Sequence, residues 1–186
     1  NYYGSSVLLD GHRFTWYPAV SAAWVLSNES FLKRSKAVDL LKVRASFGQS
    51  GYNGFGYELD RAYYVSGQGY FFTSANTPVY GLKEDALPMT TLRNQVGTKL
   101  NVGVDATLFD RLSLTADLFR ERRSRILLST GSLYSTVLGI TPPQDYNGVV
   151  DSRGFDGSVM WNDRIGDFKY NIGGTFSFAR TSIVKN

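Results

Sequence analysis

Lys99-Leu100-Asn101-Val102-Gly103-Val104-Asp105-Ala106-Thr107-Leu108 decides the fold. Every even position is apolar and every odd position is polar or small. A β-strand turns successive side chains to opposite faces, so this stretch reads as a strand with one apolar and one polar face. The pattern resumes almost at once. Leu112, Leu114, Ala116 and Leu118 form one face, and Ser113, Thr115, Asp117 and Glu121 the other, with Phe119 out of step. Both apolar faces occupy even positions, so residues that oppose each other must have numbers with an even sum. A two-residue loop would give an odd sum and turn one strand over. The loop is therefore the three residues Phe109-Asp110-Arg111. This register sets Leu108 opposite Leu112, Val104 opposite Ala116 and Lys99 opposite Glu121.

Working outward, the alternation recurs. Leu41, Val43, Ala45 and Phe47 alternate with Lys42, Arg44, Ser46 and Gly48. Phe155, Val159 and Trp161 alternate with Asp156, Ser158 and Met160. Phe168, Tyr170, Ile172, Phe176 and Phe178 alternate with Lys169, Asn171, Gly173, Thr175 and Ser177. Phe14 to Leu26 reads as a sixth strand, with Trp16, Val20, Ala22 and Trp24 on its apolar side, and Asn1 to Leu9 as the tail of another. Most of these segments run to about 9–13 residues, which suits a tilted membrane strand. Globular strands average about 5–6 residues.

The connections alternate in length. Phe109 to Arg111 and Asn162 to Asp167 are short, whereas Ile126 to Val149 and Gly51 to Val96 are long. Short turns at one end and long loops at the other are the habit of outer-membrane barrels. Ser27 to Asp39 falls where a short turn is due, yet Glu29 to Arg34 suits one or two helical turns with Asn28 as cap. Loops beyond about 15 residues are often functional. Tyr63, Tyr64, Tyr70, Phe71 and Phe72 lie in such a loop and serve either ligand contact or the packing of the loop on itself, with parts of it forming short strands above the membrane.

Composition agrees with this architecture. The 186 residues contain 12 Tyr, 12 Phe and 3 Trp, an aromatic share of 15% that suits interfacial girdles. No apolar run of about twenty residues is present, so no membrane helix is expected. A barrel escapes that criterion because only alternate residues meet lipid. Cysteine is absent, which excludes disulfides and Cys-based metal sites. The net charge of +4 comes from bases scattered among acids, which argues against a nucleic-acid partner. Asn1-Tyr2-Tyr3-Gly4 reads as the interior of a folded segment, so any export signal is expected upstream of it.

Several motifs, in order, resemble SusC/RagA-type TonB-dependent outer-membrane transporters of Bacteroidetes. Tyr17-Pro18-Ala19-Val20-Ser21-Ala22-Ala23-Trp24 resembles the family's FPSVSAAW strand, with Tyr for the usual Phe. Ser27-Asn28-Glu29-Ser30-Phe31 and Leu41-Lys42-Val43-Arg44-Ala45-Ser46-Phe47-Gly48 resemble the turn and the strand that follow it. Asn101 to Asp105 and Arg111 to Asp117 resemble a later hairpin. Arg153-Gly154-Phe155-Asp156 resembles its NxGxE strand, with Asp for Glu. The resemblance runs from about residue 12 onward and covers a late part of the barrel. It implies a barrel of about 22 strands, closed by a plug domain that this chain does not include. It also implies uptake of oligosaccharides or peptides powered through TonB, with a SusD-type surface lipoprotein over the mouth.

No catalytic constellation emerges. His12 is the only histidine and stands at a strand entrance, where a structural or surface role suffices. One histidine without cysteine makes a poor metal site, so no cofactor is expected. Asp105 and Asp117 are a conceivable pair for glycoside cleavage, but charges lining a barrel interior are ordinary, and no enzyme is expected. Arg120-Glu121-Arg122-Arg123-Ser124-Arg125 suits either lipopolysaccharide phosphate near the outer rim or a solvated strand end. The glycines from Gly51 to Gly56 lack the strand–helix setting of a phosphate loop.

The expectation is thus an all-β chain, an antiparallel transmembrane barrel segment of about six strands spanning residues 1–186, in the outer membrane of a Gram-negative bacterium. Lys42, Arg44, Lys99, Asn101, Asp105, Asp117 and Glu121 should face the lumen. Leu100, Val102, Val104, Leu112, Leu114 and Leu118 should face lipid. The alternative is a soluble or surface-attached carbohydrate-binding β-sandwich, in which the apolar faces would close on a dry core.

Overall fold

The computed structural model describes residues 1–54, 59–72, 77–135, 137 and 139–185, apart from the side chain of Gln68. Among the described residues there are ten strands: β1 (Tyr2–Gly4), β2 (Phe14–Trp16), β3 (Ala19–Val25), β4 (Val38–Tyr52), β5 (Tyr63–Tyr70), β6 (Val79–Ala86), β7 (Gln95–Leu108), β8 (Leu112–Leu128), β9 (Asp145–Ile165) and β10 (Phe168–Lys185). Six make one antiparallel sheet in the order β10-β9-β8-β7-β4-β3, and β1-β2 and β5-β6 are separate two-stranded ribbons. Among the described residues no helix is long and apolar enough to cross a membrane.

The β7–β8 register is the one that parity requires. Leu108 opposes Leu112, Val104 opposes Ala116, and Lys99 opposes Glu121. The three-residue loop is closed by a hydrogen bond from Arg111 N to Leu108 O (3.1 Å), with Phe109 and Asp110 both at positive φ (58° and 53°). The β9–β10 hairpin shows the complementary case. Its apolar residues are odd in β9 and even in β10, so an even loop is needed. Ile165 opposes Phe168 across Gly166-Asp167 alone, and Gly166 supplies the positive φ of 60°.

Two segments differ from the sequence expectation. Phe14 to Leu26 is not one strand. Pro18 has no N–H to give a ladder, and its O instead accepts from Gln49 N (2.8 Å) as β3 begins. Trp16 therefore leaves the apolar face of the sheet and pairs with Tyr2 in the ribbon. Tyr17, between the two strands, turns inward to 4% exposure over Gly51, where any Cβ would collide with its ring. The strands are also longer than expected, 14–21 residues from β4 and β7 through β10. Backbone pairing continues beyond the point where both faces become polar and the alternation fades. Between β3 and β4 a 3-10 turn (Leu26–Asn28) comes first, and one helical turn follows, with Lys33 N donating to Glu29 O (2.8 Å).

Where the core sits is informative. The buried apolar residues are Leu8, Tyr17, Met89 and Leu92, and none belongs to the six-stranded sheet. Leu8, Met89 and Leu92 form a small cluster at the long-connection end, with Val7, Leu9, Leu59, Leu127 and Tyr146 packed against it. The sheet's apolar face is open, with Leu118 64% and Leu100 48% exposed. A β-sandwich would have buried that face against a second sheet. Among the described residues no such sheet exists.

Candidate functional site

The sheet sorts its residues as the alternation requires. Leu100, Val102, Val104, Leu112, Leu114 and Leu118 share one face, because Val104 opposes Ala116, Leu118 opposes Val102, and Leu114 opposes Ala106. The register carries that face across Val43 and Trp24 on one side and Val159 and Phe155 on the other. Lys42, Arg44, Lys99, Asn101, Asp105, Asp117 and Glu121 share the opposite face.

The opposite face is a network of charge pairs. Lys42 Nζ lies 3.5 Å from Asp105, Arg44 Nη2 lies 3.2 Å from Asp105 Oδ1, and Arg44 Nη2 donates to Asp117 Oδ2 at 2.6 Å. Asp117 is 9% exposed, although its strand is exposed on its other side. Farther along, Glu121 takes Lys99 at 3.7 Å and Arg123 at 2.6 Å. Thr115 and Ser158 share a hydroxyl hydrogen bond of 2.7 Å, and Ser152 and Thr181 one of 2.9 Å. Lys42, Arg44, Asp105, Asp117, Lys99 and Glu121 are thus brought into two groups, while Asn101 stands between them opposite Ser46 and Phe119.

Glycines make room in this face. A Cβ on Gly103 would lie 2.9 Å from Arg44 Cζ and closer still to Asp117 Oδ1. Phe119, out of step in the alternation, lays its ring over Gly154, whose Cβ would come within 2.6 Å of Phe119 Cζ. A glycine beside an aromatic ring in the facing strand explains the exception. Sequence reasoning noted the mismatch at Phe119 but not its partner, because cross-strand neighbours 35 positions apart leave no local signal.

At the long-connection end, β5 and β6 form the short strands foreseen in the long loop. Tyr63, Tyr64 and Tyr70 lie on β5, with Phe71 and Phe72 just past it. Tyr64 (64%), Tyr70 (66%) and Phe72 (71%) are open to solvent, and Tyr70 and Phe72 stack with each other, edge to face at 4.9 Å. Tyr80 and Leu82 on β6 extend this open apolar surface.

The remaining sequence candidates separate. His12 sits in the turn before β2, its N–H bonded to Leu9 O (3.0 Å). Asp105 and Asp117 are bridged by the same guanidinium, that of Arg44. Phe55 and Gly56 of the glycine-rich patch lie outside the described residues.

No protein-family profile matches the chain. Curated relatives include TonB-dependent receptor P26 of Formosa agariphila, 28% identical over 131 residues, which is 67% of this chain and 12% of that protein. TonB-dependent receptor P3 of the same organism is 25% identical over 185 residues, 98% of this chain and 18% of that protein. The chain thus spans less than a fifth of the length of these relatives. Among solved structures, the RagAB peptide importer in its closed-closed state superposes with a TM-score of 0.80 at 20% identity, over 98% of this chain and 20% of that one. Its open-open state gives the same TM-score. The resemblance read from the motifs therefore holds in sequence and in fold.

Proposed function

We propose that this chain is barrel wall and extracellular loop of a SusC/RagA-type TonB-dependent transporter, seated in the outer membrane of a Gram-negative bacterium, that imports oligosaccharides or peptides. One observation carries the reading. Between the rows of Leu112 and Leu118 the sheet keeps its charge pairs on one face and leaves its apolar face open, the reverse of a water-soluble sheet that buries its apolar side. Lipid covers Leu100, Val102, Val104, Leu112, Leu114 and Leu118, and the lumen holds Lys42, Arg44, Lys99, Asn101, Asp105, Asp117 and Glu121.

The wall itself carries no reaction. Its part is to hold a polar passage of fixed width against the bilayer, where every backbone group needs a partner in the sheet. Plug, TonB contact and a SusD-type lipoprotein over the mouth belong to the rest of such a protein. The exposed ribbon β5–β6 offers Tyr64, Tyr70 and Phe72 to a glycan or peptide, since tyrosine rings give large contact area with a polar tip. Alanine at Tyr64 and Tyr70 should lower uptake while leaving the amount of folded receptor unchanged; equal uptake would remove the ribbon from the substrate path.

The test of the wall is spin-label accessibility along Lys99 to Leu108 in the full-length receptor in lipid. Even positions should respond to a lipid-soluble quencher and odd positions to a water-soluble one. Even positions shielded from both would mean a closed core and would favour the sandwich.

A further inference from the structure

The apolar face ends on three neighbouring strands at the same row. Leu118, Phe155 and Phe178 oppose one another across β8, β9 and β10. In the next row on that face stand Arg120, Arg153 and Arg180, and one row farther Arg122, Asp151 and Ser182. All four arginines are exposed. Asp151 is the sole carboxylate in these rows, and Arg120 holds it with two hydrogen bonds, Nε to Oδ1 at 3.0 Å and Nη2 to Oδ2 at 2.6 Å. Arg122 and Arg153 add their positive field at Asp151. Among the described residues no ion pair engages Arg122, Arg153 or Arg180.

We infer that Arg120, Arg122, Arg153 and Arg180 form a binding site for the phosphate groups of an outer-leaflet lipid, with bisphosphorylated lipid A as the occupant. The inference rests on the barrel reading, in which this face meets lipid and the long connections lie outside the cell. The arginine rows lie on the long-connection side of the apolar face, at the level where headgroups replace acyl chains. Residues two apart on a strand are separated by about 7 Å. Acyl chains resting on Leu118, Phe155 and Phe178 would therefore carry phosphates directly to the guanidinium row. The Phe155 and Phe178 rings stack at 5.7 Å and present one continuous apolar surface beneath it. A guanidinium fork matches phosphate oxygens in pairs, which a lysine ammonium cannot do. Asp151 fixes the Arg120 plane without cancelling the surplus of positive charge.

The experiment is native mass spectrometry of the full-length receptor in detergent, with added bisphosphorylated lipid A, with dephosphorylated lipid A, and with inorganic phosphate as competitor. The variant is Arg153→Gln with Arg180→Gln, because neither side chain engages in an ion pair whose loss would disturb the fold. Wild type should retain bisphosphorylated lipid A over the dephosphorylated form, and the double variant should retain at least about fivefold less. Millimolar phosphate should leave the wild-type complex in place. Equal retention by the double variant, equal retention of dephosphorylated lipid A, or displacement by free phosphate would each overturn the site. Heat-modifiable migration of the same samples on a gel reports the barrel separately. A variant that migrates as a folded barrel yet binds lipid A normally refutes the site alone, whereas absence of a folded barrel in wild type refutes the reading beneath it.

Discussion

Arg44 and Asp117 lie on strands that do not touch, yet they share a hydrogen bond of 2.6 Å. Strand β7 runs between β4 and β8, and Gly103 is the residue of β7 that opposes both Arg44 and Asp117. The guanidinium crosses the middle strand where it has no side chain. Three strands are clamped by one cation, and Asp105 on the crossed strand takes its share at 3.2 Å.

Filling the crossing should undo the clamp. Gly103→Val puts atoms where Arg44 Cζ and Asp117 Oδ1 now lie. Overpacking plus a lost charge-assisted bond should lower stability by about 2–4 kcal/mol. Urea titration of the purified receptor in detergent, followed by loss of heat-modifiable migration, measures the change. An unchanged midpoint would show that Arg44 reaches Asp117 by another route.

Removing the cation alone should be worse than removing the network. Arg44→Met leaves Asp105 and Asp117, diagonal neighbours on β7 and β8, without their common partner. The Arg44 side chain is 36% exposed, so water screens part of the loss, and about 1–3 kcal/mol is expected rather than the full cost of a buried broken pair. Adding Asp117→Asn to that variant should restore part of the stability. If the double variant were less stable than the sum of the two single changes, mutual repulsion of the carboxylates would not be the cause.

The two faces should respond oppositely to charge. Val104→Arg places a guanidinium near mid-strand on the apolar face, the proposed lipid side, and should cost about 2–4 kcal/mol of folding stability. Asn101→Arg on the other face should stay within about 0.5 kcal/mol. Yield of folded receptor in the outer membrane compares them directly, and similar yields would contradict the assignment of faces.

Loop length at Phe109 to Arg111 sets parity. Deleting Asp110 shortens the loop to an even number and turns one strand inside out, so folding should fail. Asp110→Gly keeps the length and relieves a positive φ of 53°, and should be neutral or stabilising by up to about 1 kcal/mol. A folded deletion variant would show that parity is not enforced by the two faces.

These contrasts also show what was legible beforehand. Alternation from Leu100 to Leu118 determined both faces and the register, because each position carries its own sign. The break at Tyr17-Pro18 was hidden, since Trp16 continues the apolar rhythm that Val20 resumes. Strand ends were hidden too. From Arg120 to Arg125 both faces of β8 are polar, so pairing continues there with nothing in the pattern to report it. The clamp at Gly103 joins residues 61 and 73 positions apart in sequence, a relation set by register alone. The arginine row was visible on β8 only as a basic run; its mates Arg153 and Arg180 enter once strands are aligned.

The sheet's two free margins are unequal. Strand β3 offers 7 residues of unpaired backbone on one side, and β10 offers 18 on the other. Each open N–H and C=O is a template for another strand, so recruitment of a neighbour is far stronger at β10. A preparation of these strands without their neighbours is therefore adhesive in one direction, and like chains should join through the β10 margin rather than at random.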